Sequence, residues 1–236
     1  MKRTTTILFA LLLAAGIFAQ EDMGGFGIHI AYTSPIMRLN SPESRALEAI
    51  PMNGVKVGIN YDATIIKGFG TTLGLNYTYA TYHSGWTYIN PGYNTDQASY
   101  RDTYHGVEIF CDWQYKFQIA GDTYLMLYTG PTIQFTVSLT EQDYIRTGTE
   151  TKKETYYGRT YRDDISDFKR LNVTWGVGAG FQYKRYFLRG GYDFGLFNPY
   201  KSDQFEPLPG GDGTKPWTRG RFDQWQIKIG MYLWRN

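Results

Sequence analysis

An apolar leader, eight segments of alternating hydrophobicity, and connections that alternate between short and long predict an all-β fold. The specific expectation is an eight-stranded antiparallel transmembrane β-barrel of the outer-membrane type. The leader is MKRTTTILFALLLAAGIFAQ, in which Lys2 and Arg3 precede an apolar run from Ile7 to Ala19. That run falls short of the roughly 20 apolar residues that a spanning helix requires. Its charged start, greasy middle and small last residue read as a secretory signal peptide, cut after Ala19. Residues 1–19 are therefore expected to be signal peptide, and 20–236 a single barrel domain with four long external loops.

Composition supports the same class. Aromatic residues make up 17% of the chain, with 21 Tyr, and Gly occurs 27 times. Tyr and Trp collect where an apolar surface meets water. After residue 19 no apolar run reaches helix-spanning length. A barrel escapes a hydropathy test for helices because only every second residue of its strands faces lipid. The net charge of +2 comes without a basic block, so no nucleic-acid surface is expected. The single Cys111 excludes an internal disulfide.

The strands are justified in turn by their period of two. The first, GFGIHIAYT, sets Phe26, Ile28, Ile30 and Tyr32 against Gly27, His29 and Ala31. The second sets Val55, Val57, Ile59 and Tyr61 against Lys56, Gly58 and Asn60. The third sets Leu73, Leu75, Tyr77 and Tyr79 against Thr72, Gly74, Asn76 and Thr78. In the fourth, Val107, Ile109, Cys111, Trp113 and Tyr115 oppose Gly106, Glu108, Phe110, Asp112, Gln114 and Lys116. The fifth runs from about Tyr124 to Leu139, with Leu125, Leu127, Pro131, Ile133, Phe135 and Val137 outward. Pro131 lacks a ladder donor and is expected to mark a bulge or break. The sixth, LNVTWGVGAGFQY, alternates apolar residues with Asn172, Thr174, Gly176, Gly178, Gly180 and Gln182. The seventh opposes Leu188, Tyr192, Phe194 and Leu196 to Arg189, Gly191 and Asp193. The eighth, QWQIKIGMYLWRN, opposes Trp225, Ile227, Ile229, Met231 and Leu233 to Gln226, Lys228, Gly230 and Tyr232. A bare amphipathic strand there invites edge pairing, and pairing with the first strand resolves it by closing a barrel.

The short connections are ATIIKGFG, QIAGD and KRY; the long ones cover roughly Thr33–Met52, Thr81–Arg101, Thr140–Arg170 and Asn198–Arg221. Short periplasmic turns and long external loops are the outer-membrane pattern. A soluble barrel would turn its apolar face inward, and a Gly-rich polar face leaves little side chain for a solvent surface.

The leader ending IFAQ, the start GGFGIHIAY, the strand WGVGAGFQY and the terminal IKIGMYLW together resemble the outer membrane protein beta-barrel domain family. The resemblance covers the whole mature chain. It implies an architecture similar to the OmpA membrane domain and OmpX, insertion by the barrel-assembly machinery, and contact with outer-membrane lipid and lipopolysaccharide. Barrels of this kind usually end on an aromatic residue, whereas here Trp234 is followed by Arg235 and Asn236.

Candidate functional residues fall into two groups. The inward face carries Lys56, Glu108, Asp112, Lys116, Arg189, Asp193 and Lys228. An eight-stranded lumen is filled by side chains, so these charges are expected to form ion pairs that plug it, with Glu108 or Asp112 meeting a base from across the lumen. In the loops, Trp86, Tyr88, Tyr93 and Trp217 are candidates for binding a protein or glycan. Ser41, Pro42 and Pro51 in SPESRALEAIP predict a short external helix in the first loop. The third loop is expected to extend the fifth and sixth strands beyond the membrane. No catalytic triad, metal-ligand spacing, phosphate loop or cofactor motif is evident. His83–Ser84 lies in a loop, and His105 has no Ser beside it on the outward face. The expected function is therefore a non-enzymatic outer-membrane barrel with a closed lumen and a structural or surface-interaction role. The alternatives are a narrow channel, a lipid-modifying enzyme, or a subunit of a larger outer-membrane assembly.

Overall fold

The computed structural model describes residues 25–40, 48–66, 68–88, 96–147, 150–156, 169–199 and 219–235. The expected signal peptide, 1–19, lies outside them. Among the described residues the chain forms eleven strands: β1 (Gly25–Asn40), β2 (Glu48–Pro51), β3 (Asn53–Ile66), β4 (Phe69–His83), β5 (Thr87–Tyr88), β6 (Gln97–Ala120), β7 (Thr123–Thr147), β8 (Glu150–Tyr156), β9 (Leu171–Tyr183), β10 (Tyr186–Gly195) and β11 (Arg219–Arg235). Eight of them make a closed antiparallel ring in the order β1, β3, β4, β6, β7, β9, β10, β11. The seam is β1 against β11, running from Gly25↔Arg235 through Tyr32↔Ile227 to Asn40↔Arg219. The amphipathic last strand therefore has both edges paired, by β1 and β10.

The period-two pattern sorts residues as a membrane barrel requires. Ile229 is 58% exposed on the outside while its neighbour Lys228 is buried in the lumen. Ile28, Ile30, Val55, Val57, Ile59, Leu73, Leu75, Ile109, Ile133, Val177 and Leu188 form the outer apolar band. Aromatic residues cluster at its two margins, for example Tyr32 against Trp225 with ring centroids 5.1 Å apart, and Tyr115 against Phe117 at 4.5 Å. Such girdles belong at the lipid–water boundary.

The three short connections are tighter than the sequence reading had them. Ala63–Ile66 remains in β3 and β4 begins at Phe69, with Gly68 before it at φ +87°. The β6–β7 turn uses Gly121 at φ +50°. The β9–β10 turn spends its two residues on Lys184, left-handed at φ +51°, and Arg185.

The external side departs from expectation in three places. β1 continues to Asn40, and Glu48–Pro51 pair with Leu39–Ile36 as β2 rather than forming a helix. Ladder bonding along the extended β1 edge outweighs the local capping signals, whose first residues, 41–47, lie outside the described residues. β7 extends to Thr147 and β8 folds back on it, while β9 starts only at Leu171. The third loop thus lengthens β7 and adds β8, and does not extend the sixth strand of the ring. Pro131 makes a gap and not a bulge. Phe110↔Thr132 and Trp113↔Thr129 keep one register on either side of it, and the β7–β9 ladder runs through Pro131↔Trp175 unbroken.

Four inward glycines share a steric reason. Tyr128 lies over Gly178 and Gly191, Phe110 over Gly74, and Phe187 over Gly230, each ring occupying the space that a Cβ would take. In each case the ring belongs to a residue paired with the first-named glycine on the adjacent strand.

Candidate functional site

The ring directs the even-numbered residues of β3, β6 and β11 into one narrow lumen, and they settle there in three layers. At mid-height Lys56 reaches over β4 to Glu108, with Nζ 2.6 Å from Oε2. Glu108 also accepts from Thr78 Oγ1 at 3.1 Å and Asn76 Nδ2 at 3.2 Å. Lys56 donates to Gln226 Oε1 at 3.3 Å, which ties β3 to β11 through the interior. His29 continues the layer: its Nε2 is 2.7 Å from Asn76 Oδ1, and its Nδ1 is 3.0 Å from the Asn60 amide. Five strands, β1, β3, β4, β6 and β11, therefore share one network, and its acid is coordinated like a fully satisfied buried group.

The periplasmic layer is organised by Asp62. Its Oδ2 accepts from Lys116 Nζ at 3.0 Å, Arg189 Nη2 at 3.3 Å and the Tyr232 hydroxyl, while Oδ1 accepts from Gln114. Arg189 Nη2 also donates to Gln114 Oε1 at 2.9 Å. The Arg189 guanidinium lies 5.6 Å from the Tyr128 ring centre and 5.3 Å from that of Phe187, within cation–π range. Asp62 escaped the sequence reading although it was visible. It continues the parity of Lys56, Gly58 and Asn60, and lies at the end of the second strand as it was read.

The expected ion pairs are thus incomplete. Asp112, Asp193 and Lys228 enter the lumen but have no ion pair within 4.0 Å among the described residues, which corrects their assignment as paired charges. Asp193 is instead held by the side-chain amides of Gln224 and Gln226, both at 3.2 Å. Lys228 Nζ sits 4.3 Å from the centre of the Phe110 ring. For Asp193 the amides come from the adjacent strand β11, whereas for Lys228 the ring face comes from β6 on the opposite wall of the ring.

The external layer is apolar: Met37, Met52, Ala80, Tyr104, Leu139 and Phe222 pack together, with Tyr104 and Phe222 ring centres 5.5 Å apart. No polar-inside pattern foretells it. Met37 and Met52 fell in the expected first loop, and Phe222 lay just before the eighth strand as it was read.

The residues considered for catalysis are arranged otherwise. Ser84 Oγ accepts from Tyr100 N at 2.9 Å and His83 Nδ1 from Gly85 N at 3.1 Å, so both brace a turn. His105 does have a serine beside it, contrary to expectation: a bulge at His105/Gly106 sets Ser138 opposite it. The His105 Nδ1, however, meets the Tyr77 hydroxyl at 2.6 Å, where a triad would place a carboxylate. Cys111 is half-buried, 3.8 Å from Thr71 Oγ1. Among the described residues no group of three His, Cys, Asp or Glu side chains is placed to hold a metal. Trp86 and Tyr88 are exposed on the external side, Tyr88 within β5 where it pairs with Gln97. Tyr93 and Trp217 lie outside the described residues.

A sequence profile for a family described as "Outer membrane protein beta-barrel domain" matches residues 18–200. No curated protein matches the chain. Among solved structures, it is similar to the outer membrane enzyme PagL at 12% identity and a TM-score of 0.44, over 88% of this chain and 99% of that one. It is also similar to Neisserial surface protein A at 10% identity and a TM-score of 0.41, over 89% and 97%. A third is Ail, the attachment invasion locus protein of Yersinia pestis, in complex with the heparin analogue sucrose octasulfate, at 9% identity and a TM-score of 0.38, over 89% and 99%.

Proposed function

From a chain that belongs to the outer membrane protein β-barrel domain family and resides in the bacterial outer membrane, we infer a non-enzymatic barrel whose lumen is closed and whose external strands carry its contacts. The observation that carries this reading is the filled interior. The Asp62 hub, the Lys56–Glu108 bridge and the apolar cap around Met52 follow one another along the lumen, and the side chains at the centre of each are buried. An eight-stranded ring has room for side chains or a pathway, not both. The barrel then serves as an anchor, and β5, the extensions of β6 and β7, and β8 present a small sheet with Trp86 and Tyr88 to the outside. A protein or glycan partner would meet that sheet, where loop chemistry is free to vary.

The test is planar-bilayer recording of lipid-refolded protein beside a binding screen with a glycan array and surface extracts. A closed bilayer with a ligand captured by the wild type, and lost with Trp86→Ala and Tyr88→Ala, supports the reading. Steady conductance of the wild type replaces it with the narrow channel. Release of fatty acid from outer-membrane lipid by the purified protein replaces it with an enzyme.

A further inference from the structure

Just above the apolar band, three charged side chains meet on the outer wall. Arg38 of β1 and Arg221 of β11 are register partners, so they stand side by side on one face. Asp223 lies between them, with Oδ2 2.9 Å from Arg38 Nε and 2.8 Å from Arg221 Nη2. The Tyr192 hydroxyl donates to the same oxygen at 2.9 Å, and Gly195 N donates to Oδ1 at 3.0 Å. The Asp223 side chain has no exposed area, while those of Arg38 and Arg221 keep 29% and 48% of theirs. By strand parity Asp223 faces outward with Trp225, Ile227 and Ile229, yet it is sealed beneath the two guanidiniums. The carboxylate is thus an anchor, and the exposed chemistry is that of the arginines.

Two cations share one carboxylate, which leaves one positive charge in excess. A guanidinium has five N–H donors in a plane. The contacts with Asp223 engage one edge of each arginine and leave the other donors for a second acceptor. The level on the wall is fixed by what lies below. Tyr32 stacks on Trp225 in the girdle, and Arg38 and Arg221 follow six and four residues farther along β1 and β11, beyond that aromatic margin of the band. Arg38 and Arg221 therefore stand at the headgroup level of the external leaflet. Paired forks at that level match a headgroup phosphate, since each can present parallel N–H bonds to two of its oxygens.

We propose that Arg38 and Arg221, held apart and aimed by Asp223, form a clamp for the phosphate of an outer-leaflet glycolipid of the lipid A class. The clamp is independent of whether the lumen is closed. It is a binding site on the lipid-facing wall, and it fixes both the depth and the rotation of the barrel relative to its annular lipid.

The experiment uses the refolded full-length barrel in a neutral detergent. Thermal unfolding, read from heat-modifiable gel mobility, is followed while phosphorylated lipid A is titrated. Dephosphorylated lipid A and inorganic phosphate serve as parallel probes. Half-saturation by phosphorylated lipid A is expected at a concentration at least tenfold lower for the wild type than for R38Q/R221Q. R38K/R221K, which keeps the charge but loses the fork, is expected between them. Dephosphorylated lipid A is expected to treat all three alike. Equal half-saturation of wild type and R38Q/R221Q overturns the clamp, and so does a wild type indifferent to the lipid phosphate. Equal protection by inorganic phosphate overturns the assignment to lipid. Should R38Q/R221Q fail to refold, R38Q alone carries the comparison, because Arg221 still covers Asp223.

Discussion

Lys56 and Glu108 meet across an intervening strand, 2.6 Å apart, with neither side chain more than 1% exposed. They are not neighbours in the ladder: β4 lies between β3 and β6, and its Asn76 and Thr78 supply the remaining hydrogen bonds. The pair therefore stitches three strands at a depth where water cannot replace a lost partner. Glu108→Ala should leave Lys56 as an uncompensated buried charge and cost about 3–5 kcal/mol. Lys56→Met together with Glu108→Ala should cost less than the two single changes summed. Urea unfolding of lipid-refolded protein measures this cycle, and strictly additive losses would remove the pair from the account of closure.

Asp62 should prove the more sensitive acid. It meets two cations, Lys116 and Arg189, whereas Asp112 has no ion pair within 4.0 Å among the described residues. Asp62→Asn should therefore destabilise the barrel more than Asp112→Asn, by about 3–5 kcal/mol against a much smaller loss. The same urea assay ranks them. A larger effect at Asp112 would mean that the hub lies elsewhere.

The glycine slots predict a reversal of sign. Gly178→Ala places a methyl where the Tyr128 ring lies, an overpacking that should cost about 1–3 kcal/mol. Tyr128→Leu in the same chain empties that space and should recover part of the loss. Thermal midpoints of the two single variants and the double variant decide it. A double variant no better than the sum of the singles would show that the ring and the glycine do not compete for one volume.

The outer face of β9 and the turn that follows it should tolerate charge very differently. Val177 is on the outer band, so Val177→Arg should cost about 2–4 kcal/mol if it lies near the midplane. Replacing Lys184, exposed in the β9–β10 turn, with Arg should change little. Refolding yield into lipid vesicles and urea midpoints give both values. Equal tolerance would mean that the outer band does not face lipid.

Much of this architecture was legible because a barrel writes its geometry with a period of two. Val55, Val57 and Ile59 declare the outside as plainly as Lys56 and Glu108 declare the inside, and no distant contact can change that parity without slipping the register. What parity cannot say is who meets whom. Lys56–Glu108 skips a strand, and Arg189 meets Asp62 from the far wall, so both depend on the width of the closed ring. Asp193 and Lys228 read as salt-bridge partners in a list of charges, yet amides and a ring lay closer. Ser138 came beside His105 through a bulge, which adds one residue to one strand and leaves no mark in the hydrophobic pattern. The extension of β1 past Thr33 was missed for a related reason. Above the lipid the outer face is no longer apolar, and the signal that defines a strand in the band disappears with the band.

The seam between β1 and β11 brings Gly25 and Arg235 into register at the periplasmic end. A ring closed in this way has no privileged first strand: every member has a neighbour on each side, and the peptide bonds merely choose where counting starts. The chain order could then be rotated. A short linker joining residue 235 to residue 25, with new termini opened in the segment after β8, would keep all eight ladders while reversing which of them form early and which must wait for the last strand to arrive. Such a permuted chain would separate two quantities that the natural order fuses, the stability of the finished ring and the cost of bringing its distant ends together.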